Sequence, residues 1–290
     1  MKKDSKVIVA EFESYEKTIR KIFDALGDLK NRIKEEKIVI KPNLTINLLP
    51  PVTTSVECVE AILKEILRRN IAKDRKIMVA EGSGGCDTLQ AFKDLGYEKL
   101  RREFNIELID LNRAERVELR NEKALKLKSM LFPSVLLNSF LINVPVPKEH
   151  SSAIITNSLK NMFGIYLSKG YLAEWNMLRR IGVVVARKIF SRGWSKCDLH
   201  VLGVHESIYD INLYKKPDLT ICDARIGQME QEIDGKPCIP AINKIFASYD
   251  PVAIDSYVAK LFGHDWKNIK YLVYANGKLG NAEDFDIIEI

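Results

Sequence analysis

The feature that most constrains this chain is a regular alternation of short apolar runs with amphipathic segments of helical period. Residues 6–11 form an apolar run too short for a helix, and residues 14–29 then place Ile19, Ile22, Phe23 and Leu26 at helical spacing. Residues 37–41 are a second run, followed by a loop holding Pro42, Pro50 and Pro51 and by Thr54-x-x-Glu57, the spacing of a capping box, which predicts a helix to about Asn70. A third run at 76–80 leads into Gly82-Ser83-Gly84-Gly85 and a helix opened by Asp87, and 106–111 is a fourth. In the second half, a run at 139–144 precedes a predicted helix over 152–163. Further runs at 219–222 and 244–248, a helix opened by Asp250-Pro251, and a last strand at 285–290 complete the pattern. Such repetition predicts an α/β fold, a mostly parallel sheet or sheets with helices on both faces. The weak periodicity of residues 112–138 suggests a connection between a first lobe, 1–115, and a second, 135–290, that carries a basic helical insertion at about 165–196. The alternative is one continuous domain.

The balance of 46% hydrophobic and 29% charged residues excludes a disordered or fibrous chain. The most apolar region, 130–147, is broken by Pro133, Asn138, Ser139, Asn143 and Pro145, short of a membrane span. The amino terminus lacks a secretory apolar region, so a cytoplasmic protein is expected. Cys58, Cys86, Cys197, Cys222 and Cys238 include no Cys-x-x-Cys pair, and they are expected to be reduced thiols that hold no iron–sulfur cluster. The net charge of +6 is concentrated. Lys160, Lys169, Arg179, Arg180, Arg187, Lys188, Arg192 and Lys196 face only Glu174 between positions 160 and 196.

In parallel sheets, ligands bind beyond the carboxyl ends of the strands. The polar residues predicted there are Lys41 and Asn43, Glu81 and Gly82, Lys148 and His150, and Asp223. Thr156, Lys160 and Gly164 are each four apart, which on a helix puts a lysine between a hydroxyl and a point of close approach. Asn161 follows directly. The glycine-rich loop matches neither the dinucleotide fingerprint nor the P-loop, so a nicotinamide cofactor is not supported.

These pieces together resemble the domain of unknown function 362 family. The resemblance is carried by Lys41-Pro42-Asn43, Thr53, Glu81-Gly82, and the block Pro145 to His150 with Thr156, Lys160, Asn161 and Gly164. It continues through His205, Asp210, Asp223-Ala224, and Ser248-x-Asp250-Pro251-Val252-Ala253 with Asp255. Relatives often carry a ferredoxin-like module whose cysteine pattern is missing from these residues. The chain also departs from the family at its long basic segment after Gly164 and at Arg225 to Glu232.

Two functions from different classes are expected. The first is an enzyme on a small anionic metabolite: Lys41, Asn43, Glu81, Gly82, Thr156, Lys160 and Asn161 bind, and His150, Lys148 and Asp223 do proton chemistry. A divalent metal held by Asp223, Asp255 and His205, with His150 near, is a variant of it. The second is a non-catalytic protein that docks on an acidic partner or an anionic membrane. Its surface would be a basic amphipathic helix carrying Tyr171, Trp175, Arg179, Arg180, Arg187 and Lys188. Nucleic acid is disfavoured, since no recognition motif accompanies the charge.

Overall fold

The structure, a computed structural model, describes residues 5–73, 75–167 and 196–290. Strands β1 (Lys6–Glu11), β2 (Lys37–Pro42), β3 (Lys76–Glu81) and β4 (Glu107–Asp110) come first, and a hairpin of β5 (Arg116–Arg120) and β6 (Ser129–Pro133) follows. Then come β7 (Ser139–Val144), the short β8 (Lys148–His150) and β9 (Ile154–Thr156), and β10 (Leu219–Ala224). The last are β11 (Gln228–Met229), β12 (Lys236–Pro237), β13 (Lys244–Ser248) and β14 (Asp286–Glu289).

Among the described residues, eight strands form one sheet in the order β14-β1-β13-β10-β7-β2-β3-β4. Only β13 opposes its neighbours β1 and β10, and every other pair is parallel. The fold is α/β with a mostly parallel sheet. Strands from the two halves interleave in this sheet, because β1 lies between β13 and β14. The cause is visible in β1 itself, where Val7, Ile8, Val9 and Ala10 are all buried and need cover on both faces. Side-chain alternation sorts the core into two layers. Val39, Leu141, Cys222 and Phe246 pack on one face with the helix Pro251–Leu261. Ile38, Ile40, Ile142 and Ile221 pack on the other with Ile19, Phe23 and Ile62, from the helices Tyr15–Leu26 and Val56–Arg68.

Three local expectations are corrected. Residues 112–138 hold the β5–β6 hairpin rather than a plain connection. Thr54 is not the cap of the helix Val56–Arg68: that position falls to Ser55, while the Thr54 hydroxyl donates to Val144 O at 2.6 Å and accepts from Asn43 N at 2.8 Å, tying two strand ends together. The stretch predicted as one helix over 152–163 is split. Ile154, Ile155 and Thr156, β-branched and suited to a pleated surface, form β9 against β8, and only Ser158–Asn161 then turns as α-helix.

After β2 the chain moves outward through β3 to β4, and it later returns to β7 on the other side of β2. The switch point of the sheet is therefore between β2 and β7, the place where such sheets open a crevice. A second sheet, β12-β11-β8-β9, stands over that end. Among the described residues no helix is long and apolar enough to cross a membrane.

Candidate functional site

The crevice floor is polar although fully enclosed. Lys41, at the end of β2, places Nζ 2.8 Å from Glu81 Oε1 at the end of β3, with both side chains nearly inaccessible. Glu81 is satisfied further by Gly82 N at 2.7 Å and Leu44 N at 3.0 Å, the extra hydrogen bonds that a buried ion pair requires. Burial pulls the Lys41 ammonium below its ordinary pKa, against the opposing pull of Glu81. Gly164 lies against this pair so closely that a Cβ there would sit 2.2 Å from Glu81 Oε1 and 2.5 Å from Lys41 Nζ. Only glycine allows that approach.

Three asparagines continue the floor. Asn43 Nδ2 donates to Asn161 Oδ1 at 2.8 Å, Asn161 Nδ2 donates to Asn143 Oδ1 at 2.7 Å, and Asn143 Nδ2 donates to Ser158 O at 2.9 Å. The short helix carrying Lys160 and Asn161 is held from below by Asp255, whose carboxylate accepts from Ser158 N at 2.7 Å and Leu159 N at 3.1 Å. Burial raises the Asp255 pKa to about 7, against those two hydrogen bonds.

Above the floor, an open pocket of about 720 Å³, part of it continuous with solvent, is lined by Asn43, Glu81, Thr156, Lys160, Lys196 and Glu232, together with Lys148, Asn161 and His200. Burial lowers Lys148 and Lys196 to about 7 and Lys160 to about 8; Lys160 pushes Lys148 down further. Lys148 Nζ donates to Val52 O at 2.6 Å and Glu232 O at 3.2 Å, and Lys196 Nζ donates to Gly164 O and Tyr166 O, each at 2.9 Å. Lys160 differs. Its Nζ lies 5.0 Å over the Phe163 ring, with no hydrogen-bond or ion-pair partner among the described residues.

His150 lies behind the wall rather than on it. Its Nδ1 accepts from Ser152 N at 3.0 Å and Ala153 N at 3.1 Å, which leaves the proton on Nε2, 3.2 Å from Glu232 Oε1. Burial, and then Lys160, lowers His150 to about 4, so the ring is neutral at physiological pH. Burial favours the neutral acid of Glu232, but the His150 ring beside it and the Lys160 charge outweigh that and hold the carboxyl at about 2. The His200 ring stacks on His150 at 5.9 Å, and burial and Lys160 lower it to about 4 as well. The arrangement therefore presents a carboxylate, a neutral imidazole and ammonium groups that titrate near neutrality, a set able both to hold an anion and to move a proton.

The structure brings Asn43, Glu81, Gly82, Lys148, Thr156, Lys160 and Asn161 to one pocket, with Lys41 beneath it and His150 behind it. It leaves Asp223 out. Strand alternation puts Asp223 on the Ile221 face of β10, whereas Lys41 and Asn143 share the opposite face with Val39 and Leu141. There Asp223 accepts from Tyr15 Oη at 3.1 Å and Ser55 N at 3.1 Å, and burial raises its pKa. The expected metal set does not assemble either: Asp255 is occupied with the short helix, and the His205 ring stacks on Tyr271 at 5.8 Å. Among the described residues no group of three or more histidines, cysteines, aspartates or glutamates is placed to hold a metal ion. Of the basic segment, Lys160 and Lys196 turn inward to the pocket, while Tyr171, Trp175, Arg179, Arg180, Arg187 and Lys188 lie outside the described residues.

Sequence reasoning missed Lys196, His200 and Glu232 as pocket residues. Lys196 was hidden in a charge run, and Glu232 reaches the pocket because β11, a strand of two residues, joins the small sheet beside β8 through the single pair Gln228 and Lys148.

Fold and pocket together define an α/β protein with its cavity at the switch point of a mostly parallel sheet. The model of a family described as a domain of unknown function (DUF362) matches residues 38–260, and the chain belongs to that family. Among solved structures it is similar to the lactate racemase apoprotein from Thermoanaerobacterium thermosaccharolyticum, with a TM-score of 0.44 and 18% identity. That match covers 77% of this chain and 50% of the other, so the chain spans half the length of that structure. No curated protein matches the chain.

Proposed function

We propose that this chain is an enzyme whose pocket binds a small anion, a carboxylate or a phosphate monoester, with Lys160 as the principal counter-charge. The observation that carries the reading is the Lys160 ammonium on the pocket wall without a partner among the described residues. Glu232 offsets the burial of this cation only in part, since Lys160 is still lowered to about 8, and a bound anion would offset it further. Lys148 and Thr156 add donors at the same wall, and Glu232, held at about 2, is a fixed negative charge there. Lys148, titrating at about 7, can exchange a proton. His150 serves as a positioning residue for Glu232 rather than as the acid or base. No metal enters this reading.

The test is calorimetric titration of the purified chain with acetate, glycolate, succinate, malate, inorganic phosphate and glycerol 3-phosphate, repeated with Lys160→Met. At least one anion should bind, and K160M should weaken it at least tenfold. Failure of every anion to bind, or binding that K160M leaves unchanged, would overturn the proposal.

A further inference from the structure

The chain of asparagines at the pocket floor has a direction, and that direction constrains the ligand. Ser158 O is a carbonyl and can only accept, so the group that Asn143 turns to it at 2.9 Å is the amide Nδ2. Asn143 then offers Oδ1 to its other neighbour, and Asn161 must answer with Nδ2, which also donates to Pro42 O at 3.3 Å. That leaves Asn161 Oδ1 as an acceptor, a role that the Lys41 ammonium at 3.5 Å enforces independently. Asn43 must therefore give Nδ2 to Asn161 and Thr45, at 2.8 and 3.3 Å. Every amide orientation follows from fixed carbonyls at one end and a fixed cation at the other.

The consequence falls on the last atom. Asn43 Oδ1 can only accept, belongs to a pocket-lining residue, is buried, and has no hydrogen-bond partner among the described residues. The hydroxyl of Thr156, another pocket residue, is buried and likewise without a partner among the described residues. A buried acceptor left empty is costly, and a ligand donor that fills it is selected over an isostere that lacks one. The donor should be uncharged, because Lys41, Lys148, Lys160 and Lys196 surround the site and would repel an ammonium.

We infer that the pocket selects small anions that also carry a hydroxyl group, the anionic end on Lys160 and the hydroxyl donating to Asn43 Oδ1. This rests on the anion-binding reading above and adds the second recognition element.

Matched pairs test it: glycolate against acetate, malate against succinate, and glycerol 3-phosphate against propyl phosphate, titrated calorimetrically into the wild-type chain and into Asn43→Ala. In at least one pair the hydroxylated member should bind roughly tenfold to a hundredfold more tightly, and N43A should remove that preference. The carboxylate and phosphate pairs separate the two sources of anion. Equal, Lys160-dependent binding within every pair would overturn this inference and leave the anion reading intact. A preference that survives N43A would overturn it too, and no binding of any anion would remove both. The wild-type comparison stands even if N43A folds poorly.

Discussion

At the scale of the residue, Lys160 puts binding and stability in opposition. Its ammonium is pulled down to about 8 by burial, so the folded protein resists a charge that the unfolded chain accepts freely. Replacing it with methionine should therefore raise the melting temperature of the free protein, by about 1 kcal/mol of stability, while it removes anion binding. A lower melting temperature would show that the lysine is a structural group. The pH dependence has a definite sign. Anion affinity should be highest below about pH 8 and fall as Lys160 loses its proton above it. For the free protein the unfolded chain binds more protons between about pH 8 and the ordinary lysine value of roughly 10.4. Stability relative to K160M should then rise across that window, as denaturant midpoints at successive pH values would reveal. Gly164→Ala is the other sharp test at this scale. A methyl group cannot enter between Glu81 and Lys41, so we expect a loss of roughly 1–3 kcal/mol by overpacking together with weakened anion binding.

At the scale of the element, the four-residue helix Ser158–Asn161 has almost no stability of its own and depends on what holds it. Asp255 holds it. Asp255→Ala would leave Ser158 N and Leu159 N buried and unpaired, at roughly 1–3 kcal/mol for each group. Because Lys160 and Asn161 ride on that turn, anion affinity should weaken as well, which calorimetry on the folded variant would measure; unchanged affinity would refute the coupling. Much of this level was legible beforehand. β1, β7 and β13 are continuous apolar runs, and their limits agree with the structure because strands buried on both faces have only one place to begin and end. The Asp250-Pro251 helix start was legible for the same kind of local reason, with Asp250 capping Val252 N at 2.9 Å and Ala253 N at 3.0 Å. The failures were long-range. The direction of β13, the pairing that brings Glu232 beside His150, and the face on which Asp223 emerges all depend on register between distant segments. Thr156, Lys160 and Gly164 do share one pocket, but through a strand, a turn of α-helix and a 3₁₀ turn rather than along one helix.

At the scale of the whole molecule, one sheet crossing both halves of the chain implies one cooperative unit. Urea unfolding followed by far-ultraviolet dichroism and by tryptophan fluorescence should give coincident transitions, and two separated transitions would show that the halves unfold independently. The position of β1 has a further consequence, for the order in which the chain acquires its structure during synthesis. The first of the described strands is flanked by two from the far end of the sheet's sequence order, β13 and β14, and Ser5 Oγ donates to Asp250 Oδ2 across 245 positions. While the ribosome is still building the middle of the chain, Val7 to Ala10 have none of their eventual strand neighbours and remain an exposed apolar segment. Closure of the sheet must wait for β13 and β14, so this apolar segment stays without its cover until they emerge, and folding is slowed by the length of the loop that must close.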